Sequence, residues 1–335
     1  MKVGKIGQGK VILEECPEPK IGSGEILMDM RACGVCGSDV EKVRGHYLAT
    51  GRIGHEPSGI IAAVGKGIED FSVGDRIFVH HHVPCYNCAV CRSGMHTFCP
   101  TYQKTNIDPC GYAERIRIPS ENVSRGAVLH LPGKMSFEEA TLIEPLGCCL
   151  DAIRATPFIA GQKVMVLGLG PIGMLYLRLL RAMGAGWLAG GDLSQYRRDV
   201  ARNSGADVVF DPRTPEKFDG EIDLVVVATG STKAISDAFK WVRRGGTVNL
   251  FGLPEKGSHL DTDLQDLYMK GVRLIPTYAA TERGTNDALR LLSNGRIVGR
   301  DLITHRFPIA KIVEAFEQAT ITEGTVKVVV TSGPV

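Results

Sequence analysis

The chain lacks an excess of charge of either sign: 39 Lys and Arg face 37 Asp and Glu, for a formal charge of +2. Nucleic-acid binders concentrate positive charge on one face, so this balance argues against a nucleic-acid partner. A long apolar run is also missing. The longest charge-free apolar stretch, Val164 to Leu177, has 14 residues with three glycines and a proline, whereas a membrane span needs roughly 20. No apolar signal segment follows MKVGKIGQGK, and the expectation is a cytoplasmic protein with no membrane partner. Internal repeats and low-complexity segments are absent too. What is present is 335 residues with 44% apolar content, ample for two cores.

Punctuation by Gly and Pro divides the chain. Up to residue 145, short apolar runs such as GEILMDMRACG, GIIAAVGKGI, GDRIFVHHHVP and GYAERIRIP read as strands of a β-rich, barrel-like domain. After Pro145, LGCCLDAIRAT has helical character and KVMVLGLG is a fully buried strand. The following alternation (a helix to Gly184 or Gly186, WLAGGD, a helix, VVFDP, DLVVVATG, a helix, GTVNLFGLP, VRLIPTY) predicts a doubly wound parallel sheet. The class expected is therefore α/β, with residues 1–145 in the first domain and 146–278 in the second. Residues 279–335 are expected to return to the first.

Ten cysteines are unevenly used. Cys85, Cys88, Cys91 and Cys99 fall within fifteen residues, close enough for one loop to wrap a tetrahedral Zn²⁺ with no position left for substrate. The ion would be structural. A disulfide pair is the alternative, and three cysteines at two-residue intervals suit a shared metal better. A nucleic-acid zinc ribbon is disfavoured, since Arg92 is the only base in CYNCAVCRSGMHTFC. Cys16, Cys33, Cys110, Cys148 and Cys149 read as small core residues.

Gly168, Gly170 and Gly173 with Pro171 and Ile172 between them form G-x-G-x-x-G. The motif ends a buried strand, opens a helix, and has Asp192 nineteen residues beyond its last glycine. Such glycines let a pyrophosphate approach the helix N-terminus. Asp192 would accept from both ribose hydroxyls and repel a 2′-phosphate, which favours NAD over NADP. Arg197 and Arg198 pull the other way.

A further set is dispersed: Cys36 in GVCGSD, His55 and Glu56 in GHEPSG, and Glu144 in IEPLG. Together with the four-cysteine lobe, GYAE, EPLGCCLDA, GLGPIG and the strand ending at Asp192, these segments stand in the order found in the zinc-dependent medium-chain dehydrogenases. The chain resembles that family over nearly its whole length. The resemblance implies a GroES-like catalytic domain and a Rossmann domain. It implies two Zn²⁺ per chain and hydride transfer between NAD(H) and a small-molecule alcohol or polyol and its ketone.

By the same likeness Cys36, His55 and Glu144 hold a catalytic zinc, with either Glu56 or water completing the shell. Glutamate at 144 points to the polyol and threonine dehydrogenase branch, where L-threonine or a sugar-phosphate polyol is an alternative substrate. Asp39 is implied to orient His55, and Ser38 to start a proton relay. Glu41 stands where many relatives carry histidine, which leaves His46 or water for the outer path. Thr229 and Gly230, then Phe251, Gly252 and Leu253, line the cofactor cleft. Arg197 lies near the adenosine ribose, and Lys327 either reaches the pyrophosphate or is an ordinary surface lysine. His80, His81 and His82 end a strand, where alternation stops all three from meeting one ion, and a structural or surface role is expected. A homo-oligomer, tetramer or dimer, is implied, with VRLIPTY as an edge strand placed for pairing across a two-fold. The rival from another class is a zinc-stabilised NAD sensor without turnover.

Overall fold

The computed structural model describes residues 1–45, 52–214, 218 and 221–333. The first part of the chain supplies seven strands: β1 (Lys2–Gly7), β2 (Lys10–Glu15), β3 (Ile26–Gly34), β4 (Pro57–Val64), β5 (Arg76–Val79), β6 (Arg115–Ile118) and β7 (Val128–His130). Six more follow in alternation with helices: β8 (Lys163–Leu167), β9 (Trp187–Gly191), β10 (Val208–Phe210), β11 (Ile222–Val227), β12 (Val242–Leu250) and β13 (Arg273–Pro276). The last two are β14 (Ile303–Pro308) and β15 (Lys327–Thr331).

β8 to β13 form one six-stranded sheet in the order β10-β9-β8-β11-β12-β13, with every pairing parallel. The order reverses between β8 and β11, and the crevice beyond such a switch point is where open α/β sheets take ligands. Val164, Met165, Val166 and Leu167 are buried, as a strand covered by helices on both faces requires.

β1 and β2 make an antiparallel hairpin, and the other strands build a seven-stranded sheet in the order β14-β15-β3-β4-β5-β7, with β6 also on β3. The chain's end thus returns to the first sheet: β15 lies antiparallel to β3, pairing Val329 with Gly34. Three helices pack together beside the sheets. Helix Ile143–Ala155 packs on Glu282–Ser293 and on Pro171–Ala182. It begins three residues before the expected 145/146 boundary, because Pro145 falls in its first turn, where a missing N–H costs nothing.

Two glycines set the phosphate turn. Gly168 has φ +89°, and a Cβ on Gly173 would overlap the Gly168 carbonyl oxygen. Helix Pro171–Ala182 therefore starts hard against β8, with Pro171 at its first position. Gly173→Ala is expected to cost about 1–3 kcal/mol through this overlap and to weaken dinucleotide binding. Thermal melts with and without cofactor check this; an unshifted melting point would mean that the turn has room.

Candidate active site

The four-cysteine lobe leaves the first sheet after β5. The sulfurs of Cys85, Cys88, Cys91 and Cys99 lie within 4.8 Å of one another. Backbone N–H groups of Cys85, Cys88 and Cys91 each donate to a neighbouring sulfur at 3.4 Å. Burial would raise the Cys99 thiol, but N–H donors from Cys85, Tyr102 and Thr101 outweigh it and bring it down to about 5. No disulfide joins any of the ten cysteines. Preformed N–H···S contacts around four converging sulfurs fit thiolates sharing one ion.

Cys36 directly follows β3 and its neighbour Val35, and caps the short helix Gly37–Val43. His55 and Glu56 directly precede β4. Donor atoms of these three residues lie within 4.8 Å of one another. Asp39 is completely buried and holds the His55 ring, with Oδ2 3.2 Å from Nδ1. Gly54 N–H donates to the same oxygen at 3.0 Å, and Lys42 pairs with Oδ1 at 3.1 Å. Burial alone would raise the Asp39 carboxyl, yet His55 and Lys42 hold it well below the usual carboxylate range. Burial opposes charge on His55 too, but Asp39 and Cys36 raise its pKa well above normal. The pocket thus favours a positive charge beside His55, with the ring fixed through Nδ1 so that Nε2 is left for a metal.

Glu56 has both oxygens buried without a well-formed hydrogen bond. Its one close counter-charge among the described residues is Lys327, whose Nζ stands 2.5 Å from Oε2 and donates to the Val35 carbonyl at 3.1 Å. This places Lys327 differently from a surface lysine: it is 1% exposed. Gly34 makes room, since a Cβ there would overlap Glu56 Oε2. A buried carboxylate with Oε2 on the Lys327 ammonium and Oε1 unpaired, beside a thiol and an imidazole, fits a cation. Ser38 Oγ donates to Cys36 Sγ at 3.2 Å. Glu41 pairs with Arg44 at 2.9 Å, and His46 lies outside the described residues.

Glu144 is reached from the other side, on the first turn of helix Ile143–Ala155. Its carboxylate is gathered within 4.8 Å of donor atoms of His80 and His81, a set adjacent to the first through the His55 and His81 rings, 5.1 Å apart. Two of the three consecutive histidines, His80 and His81, come together here, and His82 is not in the set. β5 ends at Val79, so His80 and His81 follow it as loop residues without strict alternation. Their rings meet edge-on at 5.1 Å. Burial pushes the His80 imidazole down to about 3 and His81 well below its usual value; both are neutral. Burial raises the Glu144 carboxyl. Cys148, one turn further along the helix, donates its thiol to Glu144 Oε1 at 3.3 Å. Cys148 is thus more than core filling; its (i, i+4) spacing from Glu144 is the signal that could have shown it.

At the dinucleotide motif, Asp192 follows β9 and accepts from Leu169 N–H at 2.7 Å and Ser194 N–H at 2.8 Å. Arg197 is turned toward the glycine turn: its Nε donates to the Thr325 carbonyl at 3.3 Å, and NH1 approaches Gly170. Arg198 folds back onto the carbonyls of Asp192 and Leu193 and onto Gln195. Thr229, Gly230, Phe251, Gly252 and Leu253 come together where β11 and β12 end. A Cβ on Gly230 would strike the Leu253 carbonyl, and one on Gly252 the Thr229 backbone.

Comparison with known proteins gives one result throughout. Residues 22–128 match the alcohol dehydrogenase GroES-like domain, and residues 171–294 match the zinc-binding dehydrogenase domain. A sorbitol dehydrogenase from Macaca fascicularis is 32% identical, over 93% of this chain and 90% of its own length. An L-threonine 3-dehydrogenase from Pyrococcus furiosus is also 32% identical, over 91% of this chain and 90% of its own. The crystal structure of 2R,3R-butanediol dehydrogenase from Bacillus subtilis shares the fold, with TM-score 0.85, 24% identity and 99% of each chain covered.

Two outcomes follow from this geometry. Lys327→Met leaves Glu56 buried without its counter-charge and is expected to cost about 3–5 kcal/mol. Glu56→Gln on that background should recover much of it; denaturant melts of the series test this, and a Lys327→Met protein as stable as its parent would contradict it. Metal counts separate the two ion sites. Cys36→Ala should lose one zinc per chain and keep the parent's melting curve, whereas Cys91→Ala should lose one zinc and melt earlier.

Proposed function

The chain belongs to the zinc-dependent medium-chain dehydrogenases, and from that premise we propose an NAD-linked, reversible oxidation of a secondary alcohol or polyol to its ketone. It is an oxidoreductase of the alcohol and polyol class. The observation that carries the finer reading is the donor set itself: Cys36, His55 and Glu56 bring donor atoms within 4.8 Å of one another, and Glu144 is gathered with His80 and His81 in the adjacent set.

Two zinc ions per chain are the reading, one in the cysteine lobe and one held by Cys36, His55, Glu56 and Glu144. Bound there, zinc supplies Lewis acidity to an alcohol oxygen, and the nicotinamide accepts hydride. Asp39 keeps the His55 tautomer and orientation. Ser38 Oγ, beside Cys36, takes the carbinol proton and passes it outward. Thr229–Gly230 line the adenosine side of the cleft and Phe251–Leu253 the nicotinamide side, and the Gly168–Gly173 turn takes the pyrophosphate. Lys327 is buried against Glu56 at 2.5 Å and serves the metal side rather than the pyrophosphate.

NAD rather than NADP is supported by Asp192, whose carboxylate stands at the end of β9. Arg197 donates through Nε to the Thr325 carbonyl and Arg198 to the Asp192 carbonyl; neither contact discharges the guanidinium, so the preference rests on Asp192. Glu323 adds a carboxylate nearby, accepting from Ser194 Oγ at 2.7 Å. A homo-oligomer, a tetramer in its fullest form, is read from the exposed edge strand β13, flanked by exposed Leu264, Tyr268 and Met269. No described helix is long and apolar enough to cross a membrane, and thiolate ligation suits the reducing cytoplasm. The two sheets support two domains, with the first division at the start of helix Ile143–Ala155 and the second between β13 and helix Glu282–Ser293.

Reduced-nicotinamide absorbance with a panel of secondary alcohols, polyols and threonine, before and after chelation, tests the reading. Turnover of an alcohol that stops on chelation and resumes with zinc is expected. Dinucleotide binding with no turnover anywhere on the panel would favour a sensor instead. Asp192→Ala should weaken NAD about tenfold or more, the worth of hydrogen bonds to a charged group, without weakening NADP. Equal losses for both cofactors would count against the ribose assignment.

A further inference from the structure

The ribose end of the dinucleotide cleft has the parts of a phosphate seat. Helix Gln195–Asn203 begins there with Ser194 as its cap and no acidic residue in its first turn, so its N-terminus is positive and suits an anion. Arg197 and Arg198 lie in that turn, and Arg213 joins Arg198 at the Leu193 carbonyl. Left at that, the setting would accept a sugar 2′-phosphate.

The protein fills the seat with carboxylates of its own. The Ser194 N–H donates to Asp192 Oδ1 at 2.8 Å. The Ser194 hydroxyl has one proton, which goes to Glu323 Oε1 at 2.7 Å, while its oxygen accepts from the Arg197 N–H at 3.3 Å. Neither donor of Ser194 is left for a ligand. Glu323 reaches this buried serine from the exposed turn between helix Ile312–Thr320 and β15. The turn is anchored one step further on, where Thr325 is 1% exposed and its Oγ1 accepts from Gln318 at 2.7 Å.

Charge is matched in the same place. Arg198 and Arg213 both pair with Asp211. Burial weighs against the Arg197 charge, and Asp192 and Glu323 oppose that effect. Three arginines thus face three carboxylates, and the third carboxylate arrives with the segment that returns to the first sheet. A 2′-phosphate brings a further charge of about −2 and meets no unmatched cation.

Resting on the NAD reading above, we propose that Glu323 is a second cofactor-selecting residue, a resident anion that holds the Ser194 hydroxyl and the Arg197 charge a 2′-phosphate would need. Asp192 selects by bonding the ribose; Glu323 selects by standing where the extra phosphate would be received. Because Glu323 belongs to the returning segment, selection is shared between the two domains. Exchanging only the loop after β9 would leave part of the barrier in place.

Dissociation constants for NAD and NADP, measured by calorimetry on the full-length zinc-loaded protein without substrate, test this. Glu323→Gln keeps an acceptor for Ser194 and removes only the charge. The affinity for NADP relative to NAD should then rise about three- to tenfold, more at low salt than at high. Glu323→Lys should raise the ratio further, a graded order that a merely structural role would not produce. An exposed turn position tolerates both changes. An unchanged ratio in both variants, beside a shifted ratio in Asp192→Ala, overturns the proposal and leaves the NAD reading standing. A parent that binds NADP as tightly as NAD overturns that reading, and the proposal with it.

Discussion

The site depends on one buried ion pair. Lys327 comes from the last strand of the chain and Glu56 from the loop that enters β4, yet their charged atoms are 2.5 Å apart with almost no exposure. Neither charge would be tolerated there alone. Together they fix the edge of the metal pocket, and the Lys327 ammonium also caps the Val35 carbonyl next to Cys36. Because β15 lies against β3, the returning C-terminal segment supplies a charge without which the donor set would be unbalanced.

Around this pair the pocket is arranged for a cation. Asp39, held ionised, faces the His55 ring, and the two anionic neighbours of that ring favour positive charge where burial alone would forbid it. Glu144 feels burial most and is raised, with Cys148 as a thiol donor on one oxygen. An ion in the centre resolves these opposing tendencies at once, by matching anions that the protein has already taken out of water. The lobe of Cys85, Cys88, Cys91 and Cys99 gathers four sulfurs within 4.8 Å of one another. It is tied to the segment after β13 by Tyr102, which donates to the Ala280 carbonyl at 2.7 Å.

Contacts across the cleft join the two sheets on the cofactor side as well. Ser194 donates to Glu323, and Arg197 donates to the Thr325 carbonyl. The residues that would discriminate between cofactors are thus themselves placed by the returning segment. The glycine turn and the donor pocket are thus both braced by this segment, through Thr325 and, two residues later, Lys327.

Much of this zinc-dependent oxidoreductase was legible in order along the chain. The switch from short β runs to alternating strands and helices, the glycine turn with Asp192 beyond it, and the cysteine lobe are local patterns. Each depends on backbone geometry or on ligands a few residues apart, and such constraints are written in spacing. What only the tertiary structure decided depends on charges and lone pairs meeting from distant segments. Lys327 reads as a surface lysine until β15 is laid beside β3. Arg197 and Arg198 stand beside Asp192 on paper, and packing turns Arg197 Nε to the Thr325 carbonyl and Arg198 to the carbonyls of Asp192 and Leu193. His80 and His81 alternate only if the strand continues, and it stops at Val79. Local spacing determines which groups the protein owns; desolvation, which acts only after packing, determines which of them are left wanting a partner.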